Sequence, residues 1–347
     1  MRGLEGFAGE AEGQARFFET RELRTYADLL RALAPLFVEH PEIHARFEQA
    51  WKDRKFQADY ERPLLFLAAL RRDALTRTDH PLRSVLGDDA AGTVVVDRRA
   101  LALALEEAAP FYGAIRDRFV QTNEVTRAIA WRLPLARFDG EWVALVDLGC
   151  SAGLNLIADR VPVWWVDGNE QGIYLADTRR IKARIGLDRA PVDLRREDEV
   201  AWLRACLWPG QHARKARFEA AVDAAKSALS KGEMTVEAVD ATEMPAWLER
   251  YSRAHPEVVV FAFQTVFAAY LPPEVRRAYV DGMNAWVAGD SHRRLWVELE
   301  RASNDSRLPA ELRAHVGDRS FAFASCEYHP YAINIDQPKL DELLFGL

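Results

Sequence analysis

The sequence predicts an α/β chain, a mostly parallel sheet with helices on both faces, preceded by an all-helical N-terminal region. Three observations predict it. Val143-Ala144-Leu145-Val146-Asp147-Leu148 is an apolar run that breaks into Gly149-Cys150-Ser151-Ala152-Gly153 and then reopens as a helix at Leu154-Asn155-Leu156. Such a run reads as a strand buried on both faces. From residue 143 onward apolar strands alternate with helical stretches, the pattern of a parallel sheet covered by helices. Upstream, apolar residues recur at helical spacing with hardly a strand between them. The expected division is a helical region over 1–135, expected to act as a lid, and an α/β domain over 136–347.

Composition bounds the function. The chain has 347 residues, 49% hydrophobic and 29% charged, an ordinary globular balance. Its net charge of −7 gives no global basic field, which argues against a nucleic-acid partner and for a small-molecule substrate. Three cysteines, Cys150, Cys206 and Cys326, stand far apart without C-x-x-C spacing, so neither a disulfide framework nor a zinc site is expected. No apolar signal segment opens the chain. The longest apolar run, Val258 to Leu271, is interrupted by Gln264 and too short to span a bilayer. A cytoplasmic protein without membrane contact is expected, and oligomeric state is left open.

Taken in order, Phe18, Leu23, Tyr26, Leu30, Leu33 and Phe37 keep the helical period. His40 and His44 stand four apart beside Glu39 and Glu42, but Pro41 starts a helix and leaves His40 outside it, so no metal is expected. Pro63 introduces the helix Leu64 to Leu70, Thr93-Val94-Val95-Val96 is the one strand-like run, and Arg99 to Ala109 is helical again. Gln121-Thr122-Asn123-Glu124 then offers either a helix cap or a polar cluster delivered to a pocket.

The stretch from Val143 carries the chemistry. A strand, a tight glycine turn and a helix N-terminus present backbone N–H groups to a ligand. The dinucleotide pattern G-x-G-x-x-G fails at Ser151 and Leu154, and a phosphate loop lacks its Lys. Gly149-Cys150-Ser151-Ala152-Gly153 does fit the G-x-S-x-G nucleophile elbow. The stretch also resembles the first motif of class I S-adenosylmethionine-dependent methyltransferases, with Ser151 replacing the middle glycine. That resemblance implies a Rossmann-like sheet and S-adenosyl-L-methionine as cofactor. It places Asp147, Gly149, Ser151 and Gly153 along the methionine end of the cofactor, with Asn155 beside them.

The Gln121–Glu124 segment together with Val146-Asp147-Leu148-Gly149-Cys150-Ser151-Ala152-Gly153 resembles a bacterial family of uncharacterised, methyltransferase-like proteins. The resemblance continues through Gly186 to Asp193 and Trp202-Leu203 to Trp208-Pro209, covering most of the chain. Val163 to Asn169 reads as one arm of a hairpin closed by Gln171 to Tyr174. The ribose-binding acid is then Asp167 or Asp188, with Asp188 preferred because the hairpin reads as an insertion. Residues 194–230 are helical, and Met234 to Ala241 is a strand whose Asp240 and Ala241 the resemblance sets against the adenine. Asp240 also suits a helix cap. Val258 to Thr265 is the next strand, with Gln264 and Thr265 at its polar exit, where open α/β sheets place ligands. Pro273 to Ala288 is helical, Leu295 to Glu300 a strand, and Phe321 to His329 a last strand with Glu327 and His329 on one face.

The resulting expectation is a methyltransferase acting on a small acceptor. His329, Glu124 and Gln264 are the candidate catalytic groups, and Asn123, Glu124 and Thr265 the candidate acceptor contacts. Two other classes stay open. One is a serine hydrolase using Ser151, with triad partners available from Asp240 or Glu298 and His329. The other is a non-catalytic nucleotide-binding protein.

Overall fold

A computed structural model describes residues 4, 6–88, 96–106, 108–136, 141–168, 170–173, 175, 177–303 and 306–345. Of the expected strand at 93–96 only Val96 falls among them, and Asn169 and Tyr174 lie outside. The chain divides into two compact units, one of residues 1–122 and 196–216, the other of 123–195 and 217–347.

The first unit is helical, with α-helices Phe7–Glu19, Arg24–Glu39, Pro41–Trp51, Glu61–Thr76, Arg98–Glu106 and Ala109–Asp117. Phe18, Tyr26, Leu30 and Leu33 are buried, so the helical spacing does mark the inner face. Residues 196–216 join this unit although sequence order sets them apart. Arg71 explains it: from within Glu61–Thr76 its Nη1 donates to the carbonyls of Arg204 and Leu207 at 2.5 and 2.7 Å. Trp202 Nε1 donates to the Phe119 carbonyl at 2.9 Å, adding a second tie.

The second unit carries one sheet built from β1 (Val143–Leu148), β2 (Val166–Asp167), β3 (Ile181–Asp188), β4 (Thr235–Ala238), β5 (Val259–Thr265), β6 (Arg294–Arg301), β7 (Ala310–Val316), β8 (Arg319–Cys326) and β9 (Ala332–Ile335). Their order is β2-β9-β8-β7-β6-β5-β1-β3-β4. Most neighbours are parallel, while β6 to β9 form an antiparallel meander. Every residue of β1 is buried, as its apolar run requires of a central strand. Ala144, Val146 and Leu148 pack with Met244 and Leu248 of the helix Met244–Ala254 and with Tyr279, Met283 and Trp286 of the helix Pro273–Ala288. The helix Ile129–Leu135 packs on β5 and β6. Among the described residues no helix is long and apolar enough to cross a membrane.

One local expectation is corrected, one is met in part, and one strand was missed. The helix after the glycine turn is a short 3-10 segment, Leu154–Arg160, because Pro162 drives Val161 to extended backbone at φ −118°. The expected hairpin is present but short: Val166 bridges Gly172 antiparallel, the amides of Asp167 and Ile173 donate to the carbonyls of Gln171 and Trp165, and its arm β2 also pairs with β9 at the far edge of the sheet. The meander strand β7 was not anticipated, although Leu312, Ala314 and Val316 alternate with Glu311, Arg313 and His315 as a half-buried strand should.

Candidate functional site

The site is built at the carboxyl end of β1. Gly149 and Cys150 donate their amides to the Leu187 carbonyl at 2.8 and 3.2 Å, which folds the turn back onto β3. Gly149, Ser151 and Gly153 all take left-handed backbone, φ +74°, +54° and +71°. Gly149 is obligatory on two counts, since a Cβ there would also stand 2.1 Å from Cδ2 of Phe267. At Gly153 a Cβ would meet Met234 and Leu156 only at ordinary contact distances of 3.4 and 3.5 Å. Its need is therefore conformational, and the space beside it is filled by protein side chains.

Asp147 is the electrostatic centre. The carboxyl is 1% exposed and its Oδ2 has no hydrogen-bond partner. Burial, with the charge of Asp188 as a second cause, pushes it well above the usual carboxylate range. Asp188 lies at the end of β3 and accepts the Ser151 amide on Oδ2 and the Ala190 amide on Oδ1, both at 2.9 Å. The preferred ribose candidate thus borders the glycine turn. Asp167 belongs to β2, at the other edge of the sheet.

Asn155 reaches from the 3-10 segment to Thr265 at the exit of β5, donating Nδ2 to Oγ1 at 3.4 Å, while its own buried Oδ1 is unpartnered. Its carbonyl accepts from Trp131 Nε1 at 2.9 Å. Asn123 Nδ2 donates to Ser151 Oγ at 3.3 Å, which brings the polar segment and the glycine turn together. The 3-10 segment is fixed from beneath by Arg184 of β3. Its guanidinium donates to both Asp159 oxygens at 2.9 and 2.7 Å and to the Leu156 carbonyl.

Other expected residues are elsewhere. Gln264 is 0% exposed. Its Oε1 accepts from the Tyr279 hydroxyl and from Trp296 Nε1, and its Nε2 donates to Glu300 at 2.9 Å. Alternation along β5 turns it toward the helix Pro273–Ala288, so it is a core amide and not a group at a pocket mouth. Glu124 is also buried, where Oε1 accepts from the Thr126 amide and hydroxyl at 3.3 and 3.0 Å and caps the turn Val125–Ala128. Asp240 accepts from the Thr242 amide and hydroxyl, which hold its carboxyl below the usual range, while Ala241 lies in the apolar cluster. These bonds close the turn that leads to the helix Met244–Ala254, whose N-cap is Glu243 without a side-chain bond, so the expected helix cap is not formed by the Asp240 carboxyl. His329 falls in the bend after β8, which ends at Cys326, so it does not share a strand face with Glu327. The neighbouring Tyr328 carbonyl accepts from buried Arg127 Nε at 2.9 Å.

Two residues were missed. Phe267 lies against Gly149, and Glu300 gathers the amides of Phe267 and Ala268 at 2.8 and 2.9 Å. Burial pushes the Glu300 carboxyl up, against the pull of these donors. The signal for Glu300 was its spacing two residues from Glu298, which sets two carboxyls on one face of a strand. In the helical unit His40, Glu42 and Glu106 bring possible metal-ligand atoms within 4.8 Å of one another, with His40 Nδ1 hydrogen-bonded to Glu42 at 3.0 Å.

A profile of the bacterial family described as "Uncharacterized protein conserved in bacteria (DUF2332)" matches residues 10–334. The chain belongs to this family. No curated protein matches the sequence. For this DUF2332 member the match takes in the glycine turn, Asp147, Asp188 and the turn after β5.

Proposed function

We propose that the chain is an S-adenosyl-L-methionine-dependent methyltransferase acting on a small-molecule acceptor. The observation that carries the reading is Asp147, a dry carboxyl with an unpartnered oxygen beside a left-handed glycine turn. A buried polar atom without a partner is costly in isolation and calls for a ligand group or an ordered water. A cationic ligand fits it. The strand order β4-β3-β1-β5-β6 supports a Rossmann-like reading, because the chain steps to one side of β1 and then to the other. Doubly wound sheets bind their ligands in the crevice where that switch occurs.

When bound, the cofactor supplies a methyl group activated on a sulfonium. Asp147 and the buried Oδ1 of Asn155 would take its cationic and N–H groups. Asp188 uses each oxygen once on a backbone amide, and a carboxylate has about four acceptor positions, leaving capacity for a hydroxyl pair. Thr265 and Asn123 are the acceptor-side groups of this proposal. The chain's own task is to orient both partners and exclude water.

Calorimetry tests the reading. S-adenosylmethionine and S-adenosylhomocysteine should bind saturably and NAD should not. The sign of the pH dependence follows from Asp147. A carboxyl raised in the folded state favours folding at low pH, and that contribution is lost as pH rises from the unfolded value, about 3.9, through the folded one. A cationic ligand favours the ionised form, so binding should release a proton and tighten as pH rises. Titrations in two buffers of different ionisation enthalpy will reveal that proton. Asp147→Asn should abolish its release and weaken binding by on the order of 1.5–3 kcal/mol. Saturable NAD binding with no heat from either S-adenosyl compound sinks the proposal.

The left-handed backbone at Ser151 favours a second reading, the nucleophile elbow. Against it, the group bonded to Ser151 Oγ is the Asn123 amide nitrogen, a donor that cannot take the serine proton. Under the methyltransferase reading a fluorophosphonate probe leaves Ser151 unlabelled. Stoichiometric labelling, lost in Ser151→Ala, would make the chain a hydrolase.

A further inference from the structure

We infer that Glu300 is a positioning residue that clamps the turn leaving β5 and so fixes Phe267 as an aromatic wall over the glycine turn. What that wall faces rests on the ligand reading above, whereas the clamp itself does not.

Val266 takes φ +54°, a left-handed conformation that a β-branched residue adopts only under constraint. Such backbone persists where the surroundings over-determine it, and it clusters at ligand clamps and switches. The constraint here is visible. Val266 donates its amide to the Leu299 carbonyl at 2.8 Å, continuing the β5–β6 ladder up to the turn. The next two amides, Phe267 and Ala268, then leave the ladder and converge on Glu300 Oε1. Gln264 Nε2 brings a third donor to the same oxygen at 2.9 Å, and Gln264 is itself held by Tyr279 and Trp296. Burying a carboxylate is expensive unless it is fully hydrogen-bonded, and three donors on one oxygen show where its bonding capacity is directed.

The consequence is the place of one ring. Phe267 lies so close to Gly149 that a methyl group there would overlap it; it also meets Tyr279 edge-on at 5.5 Å and 83° and packs against the apolar cluster. Phe267 is half-buried and stands just past the carboxyl end of β5, beside the turn that follows β1. Glu300 reaches it only through backbone amides. It therefore sets the shape of the crevice without touching what the crevice binds.

The test places 4-fluorophenylalanine at position 267 of the full chain and follows its fluorine resonance. Without ligand, one sharp resonance displaced from that of the free amino acid is expected. Glu300→Gln should retain it, because an amide oxygen still accepts the two backbone N–H groups. Glu300→Leu should broaden it or move it toward the free value, with unchanged circular dichroism. An unaltered resonance in folded Glu300→Leu overturns the inference. If that variant does not fold, amide exchange in the unmodified protein decides. Phe267 and Ala268 should exchange as slowly as the β5 ladder, and exchange at open-loop rates overturns the clamp. S-adenosylhomocysteine should shift the resonance saturably, and about tenfold more weakly in Glu300→Leu as preorganisation is lost. Binding seen by calorimetry that leaves the resonance unmoved overturns the wall. No binding at all, with the Glu300 effect intact, overturns the ligand reading and leaves the clamp standing.

Discussion

Gly149→Ala should destabilise the second unit by about 2–5 kcal/mol, combining left-handed backbone strain with overpacking against Phe267. The added methyl has nowhere to go, since the nearest ring carbon would stand 2.1 Å away. The two contributions can be separated. Phe267→Ala in the same chain removes the overlap and leaves only the backbone cost, so the double-variant cycle should return a coupling of about 1–3 kcal/mol. Urea denaturation followed by circular dichroism measures all three variants. A Gly149→Ala protein within about 0.5 kcal/mol of the parent, the usual range for an unconstrained surface site, would show that Phe267 does not occupy this place.

Removing the partner of Arg184 should have an effect of similar size. Arg184 and Asp159 are each 7% exposed at the side chain and hydrogen-bonded in parallel. Asp159→Ala strands a buried guanidinium, which costs about 3–5 kcal/mol. A well-packed apolar replacement of both residues should cost far less, because no uncompensated charge is left behind. The exposed pair Arg116–Asp117 is the control, and Asp117→Ala there should change stability by less than about 1 kcal/mol. Equal losses at the two sites would mean that Arg184 is not desolvated in solution. The expected damage is local, because Arg184 holds the carbonyl of Leu156 in the segment that carries Asn155.

These residues also show what the sequence disclosed. The β1 run and the glycine turn were legible because burial on both faces leaves an uninterrupted apolar stretch, and left-handed backbone asks for glycine. Asp188 was preferred over Asp167 on other grounds, because the hairpin that carries Asp167 reads as an insertion and the family resemblance is stronger around Asp188. Gln264 misled because a polar residue at a strand end looks the same from either face. Only the register shows that it turns toward Tyr279 and Trp296. Glu300, Phe267 and Arg184 act across elements distant in sequence, and no local period records such contacts. The division of the chain was hidden for the same reason, since Arg71 draws in carbonyls more than a hundred positions away. Pro162, by contrast, was in plain view, and the truncation of the helix before it follows from its ring alone.

The pairing of β2 with β9 bears on how the protein is made. Val166 and Asp167 meet Ala332 and Ile333, so the far edge of the sheet is completed by segments translated at opposite ends of the second unit. A ribosome delivers β8, with its Phe321 and Phe323, before β9 exists to cover it. During that interval the nascent chain offers an open row of backbone donors and acceptors, the template on which strands of separate molecules join. Ile333, Asn334 and Ile335 pair with Cys326, Ser325 and Ala324 and cover the last part of that row. The short strand β9 therefore acts as a guard for the edge of β8, made only after the edge that it protects.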